Sequence, residues 1–179
     1  RYLFIYITNS YGISVIYKYF VFTVYISIIH FKIYFPEKLK YKLAMINIMI
    51  IVGCSNSKYL AKSVAKKLNF SYQDLNMDIA PDGELHLRFS DDLKNKTAVL
   101  VQSFYPHPNH SLMEVLFAAS TARDLGANKV ILVAPYLAYL KEDKRVIKGE
   151  CVSTRVVSEL LSKNFDAIVS VEPHGHDNQ

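Results

Sequence analysis

From Met45 onward, apolar and polar positions fall into short regular blocks. Ile46-Asn47-Ile48-Met49-Ile50-Ile51-Val52 is a near-continuous apolar run, the pattern of a strand covered on both faces. Gly53 to Ser57 is a turn carrying helix-capping residue types. Tyr59 to Leu68 spaces Leu60, Val64 and Leu68 four apart, which predicts an amphipathic helix. Phe70 to Asn76 reads as a short strand, and Pro81-Asp82-Gly83 as a turn, because Gly tolerates positive φ. Leu85-His86-Leu87-Arg88-Phe89 alternates strictly, so a half-exposed strand is expected, with Asp78–Phe89 forming a hairpin. Thr97 to Gln102 is again apolar. Ser111-Leu112-Met113-Glu114 matches a capping box and predicts a helix opening there and running to about Leu125. Lys129 to Ala134 predicts a strand. Val152 to Lys163 predicts a helix with Val156, Leu160 and Lys163 on one side, and Ala167 to Val171 closes the series. Strand and helix alternating through short links imply a parallel sheet wrapped by helices, with right-handed crossovers.

Residues 1 to 44 follow no such rule. They hold 13 of the chain's 23 aromatics and show no helical or strand period. The longest uncharged apolar stretch, Tyr19 to Ile29, is 11 residues, against roughly 20 for a membrane helix. The expectation is a head outside the fold, read as translated upstream sequence with a start near Met45 or Met49. A membrane segment or a genuine extra element is the alternative.

Charge sharpens the division. The head carries six basic side chains against Glu37, while residues 45 to 179 carry 15 basic and 15 acidic ones. The body is therefore neutral and is not a nucleic-acid surface by charge. Cys54 and Cys151 are far apart with no CxxC spacing. That fits a reducing compartment, hence the cytoplasm, rather than a disulfide scaffold. No P-loop, dinucleotide fingerprint or serine nucleophile elbow is present.

Three loops carry candidate chemistry. In Pro81-Asp82-Gly83-Glu84, two carboxylates flank a glycine turn. They could accept hydrogen bonds from an amine or hold Mg²⁺ through water; the alternative is an ordinary surface turn. Tyr136 to Arg145, just past a strand's carboxyl end, mixes two aromatics with three cations and two carboxylates. Cations placed there could neutralise phosphate; the alternative is a solvated loop. Glu172, His174, His176 and Asp177 follow the last strand and could meet a metal or a metal-bound triphosphate; the alternative is a polar tail.

Taken in order, these features carry a resemblance. They are the Gly53/Ser55 turn, the D-G-E turn, Ser111-Leu112-Met113-Glu114, Pro135-Tyr136-Leu137-Ala138-Tyr139, Lys148-Gly149-Glu150 and Glu172-Pro173-His174. With them, residues 45–179 resemble the N-terminal half of ribose-phosphate pyrophosphokinase (PRPP synthetase), nearest its short archaeal-type form. The resemblance implies an α/β three-layer parallel-sheet domain of the phosphoribosyltransferase-like type. It also implies transfer of diphosphate from MgATP to ribose 5-phosphate, giving PRPP and AMP. ATP binding falls to Asp82, Gly83, Glu84, Lys141, Glu142 and Asp143, and the Mg²⁺ contact to His174 and Glu172. ATP and ribose 5-phosphate are the implied partners, in a homo-oligomer with no membrane span. The family's ribose-phosphate loop and mobile catalytic segment belong to its C-terminal half and do not occur in these residues, so no catalytic residue is assigned and the chain alone is expected to be inactive. Two departures stand out: the family's Phe before the D-G-E turn is Ala80, and its Arg-Gln pair is Lys141-Glu142. Lys lacks the bidentate fork of Arg, and Glu142 sets a negative charge beside a polyphosphate. A catalytically inactive binding or regulatory relative, or a decayed gene product, is the alternative function.

Overall fold

The computed structural model describes residues 4–7 and 48–171. Among these described residues, eight strands and three helices follow in chain order: β1 (Phe4–Ile7), β2 (Met49–Gly53), α1 (Lys58–Leu68), β3 (Ser71–Asp74), β4 (Asn76–Ile79), β5 (Leu85–Arg88), β6 (Thr97–Val101), α2 (Pro108–Asp124), β7 (Lys129–Ala134), α3 (Ser153–Asn164) and β8 (Ala167–Val171). Six strands form one sheet in the order β1-β8-β7-β6-β2-β3. Every neighbouring pair in it is parallel. β4 and β5 form the expected hairpin, a separate antiparallel pair with Ile79 opposite Leu85. Four residues of the head, Phe4–Ile7, pair with Ile168–Val171 at the sheet edge; the rest of the head lies outside the described residues.

The apolar runs behave as two-faced strands. Ile50, Val52, Ala98, Leu100, Leu132 and Ile168 face α2 and α3 through Val115, Ala118, Ala119, Ala122, Val157 and Leu161. Their neighbours Ile51, Val99, Val101, Val133 and Val169 form the opposite face with Ala61, Val64 and Ala65 of α1. Each fully buried Val, Leu or Ile among them contributes about 1.5–3 kcal/mol, and alternation along the strand divides them between the two layers.

Two expectations about helices are corrected. α2 opens a turn earlier than the capping-box pattern implied: Pro108 occupies its first turn and His107 its N-cap. Proline's missing N–H costs nothing there, and its fixed φ suits the helix. Ser111 and Glu114 are consequently inside the helix and buried. In α3 the buried face is Val157 and Leu161, continued by Phe165, while Val156 is 52% exposed. One position along a helix rotates a side chain by about 100°, enough to exchange core for solvent.

α1 packs on one face of the sheet and α2 and α3 on the other. From β2 the chain steps out to β3, then returns to β6 on the other side and continues to β7 and β8. The direction of winding therefore reverses between β2 and β6, and the crevice at their carboxyl ends is where open α/β sheets take ligands.

Candidate functional site

At that reversal a polar network joins three elements. Glu114, fully buried on α2, accepts hydrogen bonds from Ser55 N (2.8 Å), Ser55 Oγ (2.6 Å) and Gln102 Nε2 (2.6 Å). Gln102 Oε1 accepts from Asn56 N at 3.0 Å. Asn56 Nδ2 donates to Ser103 O (3.2 Å) and Ser111 Oγ (3.1 Å), and Ser57 Oγ accepts from Ser103 N at 2.8 Å. Three donors satisfy the carboxylate, as burial of a charge requires.

The network has a functional consequence. In dinucleotide-binding folds the first strand-to-helix turn offers free N–H groups to phosphate. Here Ser55 N and Asn56 N point inward to Glu114 and Gln102, and Ser57 N donates to Cys54 O. The turn is tied to the protein, consistent with its lack of a glycine-rich fingerprint. Gly53 permits this close packing: an added Cβ would stand 2.6 Å from Tyr72 Oη and 3.0 Å from the α-carbon of Lys58. Burial, and then the charge of Glu114, push the Cys54 thiol well above its ordinary range, against a smaller lowering by Lys58. Burial and the hydrogen bond to Asp74 push the Tyr72 hydroxyl up likewise.

Above the network lies a cavity of about 650 Å³, lined by Ser55, Asn56, Met77 and Ile79 and by the 106–110 segment that opens α2. The ring nitrogen Nε2 of His110 is buried there without a partner. None of these residues was singled out as a ligand contact from sequence. The available signal was an acid inside an apolar helical stretch and a glutamine ending an apolar strand.

The three sequence-predicted loops are placed as follows. Asp82, Gly83 and Glu84 form the exposed tip of the β4–β5 hairpin. Gly83 sits at φ +91°, which its lack of Cβ permits, and Asp82 Oδ1 caps Glu84 N at 3.1 Å. Lys141, Glu142 and Asp143 follow β7, all exposed. Just before them Tyr139 holds φ +66°, a conformation costing a non-glycine residue about 1–3 kcal/mol. Its carbonyl accepts from Thr154 Oγ1 (2.9 Å) and Ser153 Oγ (3.4 Å), and its hydroxyl donates to Asn109 Oδ1. Among the described residues no hydrogen bond or ion pair joins the hairpin tip to the Lys141–Asp143 span. Glu172, His174, His176 and Asp177 lie outside the described residues. β8 is parallel to β7, with Ala134 opposite Ser170, so the two strands end on the same rim of the sheet.

Among the described residues no group of three or more His, Cys, Asp or Glu is assembled to hold a metal ion, and no helix is long and apolar enough to cross a membrane.

Comparison with known proteins bears on the family and the fold. The sequence model described as the N-terminal domain of ribose phosphate pyrophosphokinase matches residues 49–164. A ribose-phosphate pyrophosphokinase from Saccharolobus solfataricus is 37% identical over 128 residues, covering 70% of this chain and 44% of that protein. One from Sulfolobus acidocaldarius is 33% identical over 130 residues, covering 72% and 45%. The crystal structure of phosphoribosylpyrophosphate synthetase from Mycobacterium smegmatis superposes with a TM-score of 0.64 at 29% identity, covering 70% of this chain and 43% of that one. The chain thus spans less than half the length of these relatives.

Proposed function

Because the chain belongs to the family of the N-terminal domain of ribose phosphate pyrophosphokinase, we propose that it supplies the nucleotide-binding half of a ribose-phosphate diphosphokinase. The observation that carries this is the family match over 49–164, joined to a parallel sheet in which the charged loop follows the carboxyl end of β7. Asp82, Gly83 and Glu84 bind the adenine end, in the manner the resemblance implies. Lys141, Glu142 and Asp143 meet the phosphates, and His174 and Glu172 meet Mg²⁺. Magnesium usually takes one or two carboxylates together with substrate phosphates and water, so one glutamate suffices where the nucleotide brings the ion. The ion supplies charge neutralisation at the phosphates; the chain's part is to bind and orient. Transfer to ribose 5-phosphate requires the ribose-phosphate loop of the family's other half. The resemblance also supports a homo-oligomeric, cytoplasmic protein.

Ala80 and Glu142 favour a second reading, in which the chain is a binding or regulatory relative without turnover. At about 4 Å and an effective dielectric constant near 20, Glu142 would repel a phosphate charge by about 4 kcal/mol, less whatever Lys141 cancels.

Calorimetric titration with ATP tests the proposal. Binding that requires Mg²⁺, weakens in His174→Ala and tightens in Glu142→Gln is expected. No Mg²⁺-dependent binding at millimolar ATP refutes it. Assay of AMP release with ribose 5-phosphate then separates the readings: robust turnover by this chain alone would overturn the assignment of catalysis to the other half.

A further inference from the structure

The charged loop hangs between two anchors of different construction. On its carboxyl side residues 145–150 close on themselves: Glu150 Oε2 accepts from Val146 N and Ile147 N, both at 2.9 Å, and Glu150 O accepts from Arg145 Nε at 2.9 Å. On its amino side Leu137 and Ala138 are buried, and Tyr139 is partly buried against the same core. Between the anchors the span is held by the long Thr154 N to Glu142 O bond, 3.3 Å, and Lys141 to Lys144 are exposed.

Tyr139 is unusual in needing three partners to hold one backbone state. A left-handed tyrosine persists only where its surroundings over-determine it. Here the first turn of α3 grips its carbonyl through Thr154 and Ser153, and Asn109 on α2 receives its hydroxyl. Asn109 also lines the cavity at the strand reversal. The backbone direction leaving Tyr139 sets where Lys141 begins, so this hydrogen bond connects the cavity rim to the charged span.

We propose that Tyr139 is a positioning residue: its hydroxyl bond to Asn109 and its α3-gripped carbonyl set the Lys141–Asp143 span for nucleotide phosphates. This rests on the nucleotide reading above. Loss of the hydroxyl removes one of the three partners that hold the φ +66° residue, so its backbone relaxes more readily toward ordinary conformations and the amino-side anchor of the span weakens.

The experiment has two arms on the full chain. Tyr139→Phe keeps the packed ring and removes only the hydroxyl. Without nucleotide, tryptic cleavage after Lys141 and Lys144 should rise on the order of three- to tenfold, with other sites unchanged. Asn109→Ala should do the same, and the double variant should add little, since both remove one bond. Unchanged cleavage in Tyr139→Phe, or additive effects in the double variant, would overturn the proposal. In the second arm, MgATP affinity should fall by a similar factor in each variant. Wild-type binding with unaltered affinity in Tyr139→Phe overturns the role toward nucleotide. Absence of wild-type binding overturns the nucleotide reading itself, and the cleavage arm still reports separately on the anchor.

Discussion

Replacing Glu114 by glutamine probes the network beneath the cavity with the smallest change in shape. The carboxylate serves three donors, two of them at one oxygen: Ser55 Oγ and Gln102 Nε2 both reach Oε2, and Ser55 N reaches Oε1. Glutamine keeps a single oxygen. With its NH₂ in the Oε1 position, Ser55 N loses its acceptor. With its NH₂ in the Oε2 position, Ser55 Oγ can rotate to accept, but Gln102 Nε2 faces another donor. Flipping the Gln102 amide then deprives Asn56 N, which binds Gln102 Oε1 at 3.0 Å. Gln102 Nε2 also reaches Ser55 Oγ at 3.0 Å, yet each arrangement either strands a donor or sets two donors face to face, and gives up charge-assisted bonds, each worth about 1.5–3 kcal/mol. Burying a neutral amide in place of a carboxylate offsets part of this, leaving a net loss of about 2–3 kcal/mol. For a chain of this length that is a fall in Tm of roughly 5–10 °C. Thermal unfolding followed by circular dichroism measures it, and hydrogen exchange at Ser55 and Asn56 should accelerate in step. A Tm shift below about 2 °C would show that the network contributes little and that the reasoning from donors is wrong.

Gly53→Ala should cost about 1–3 kcal/mol, read by urea unfolding. Tyr72→Phe should recover part of that, since the added methyl would still stand 3.0 Å from the Lys58 backbone; full recovery would place the strain in the hydroxyl alone. In native protein a thiol reagent should modify exposed Cys151 at once and buried Cys54 only on unfolding; rapid reaction of both would contradict the burial. Cys54 and Tyr72 both have raised folded-state pKa values, so above the unfolded thiol's pKa near 9.0 the unfolded chain releases protons that the folded chain retains. Their contribution to stability should therefore be constant below that pH and fall above it, and Cys54→Ala should flatten the decline in a pH series of unfolding midpoints. Removing residues 1–44 should leave cooperative unfolding intact and raise solubility, because both core clusters lie within 50–169 and the head contributes only the edge pairing of Phe4–Ile7 among the described residues. Loss of cooperativity would make the head part of the fold.

The pattern of apolar positions determined on its own that the body is a parallel α/β sheet. Ile50–Val52, Thr97–Val101 and Lys129–Ala134 are strands because a two-faced strand needs unbroken apolar character, and that requirement is local. The hairpin around Gly83 was legible for the same reason, through turn chemistry and strict alternation. Partners distant along the chain were not. Glu114 reads locally as a helix-capping acid; only the fold brings Ser55, 59 residues away, onto its carboxylate. The choice of Val157 over Val156 depends on which stripe of α3 meets the sheet. Tyr139 gains its meaning from Asn109, 30 residues upstream, and from a helix that follows it. Periodicity records how each segment divides apolar from polar, whereas strand order, helix rotation and buried hydrogen bonds are settled by packing among segments, and only the assembled tertiary structure satisfies them together.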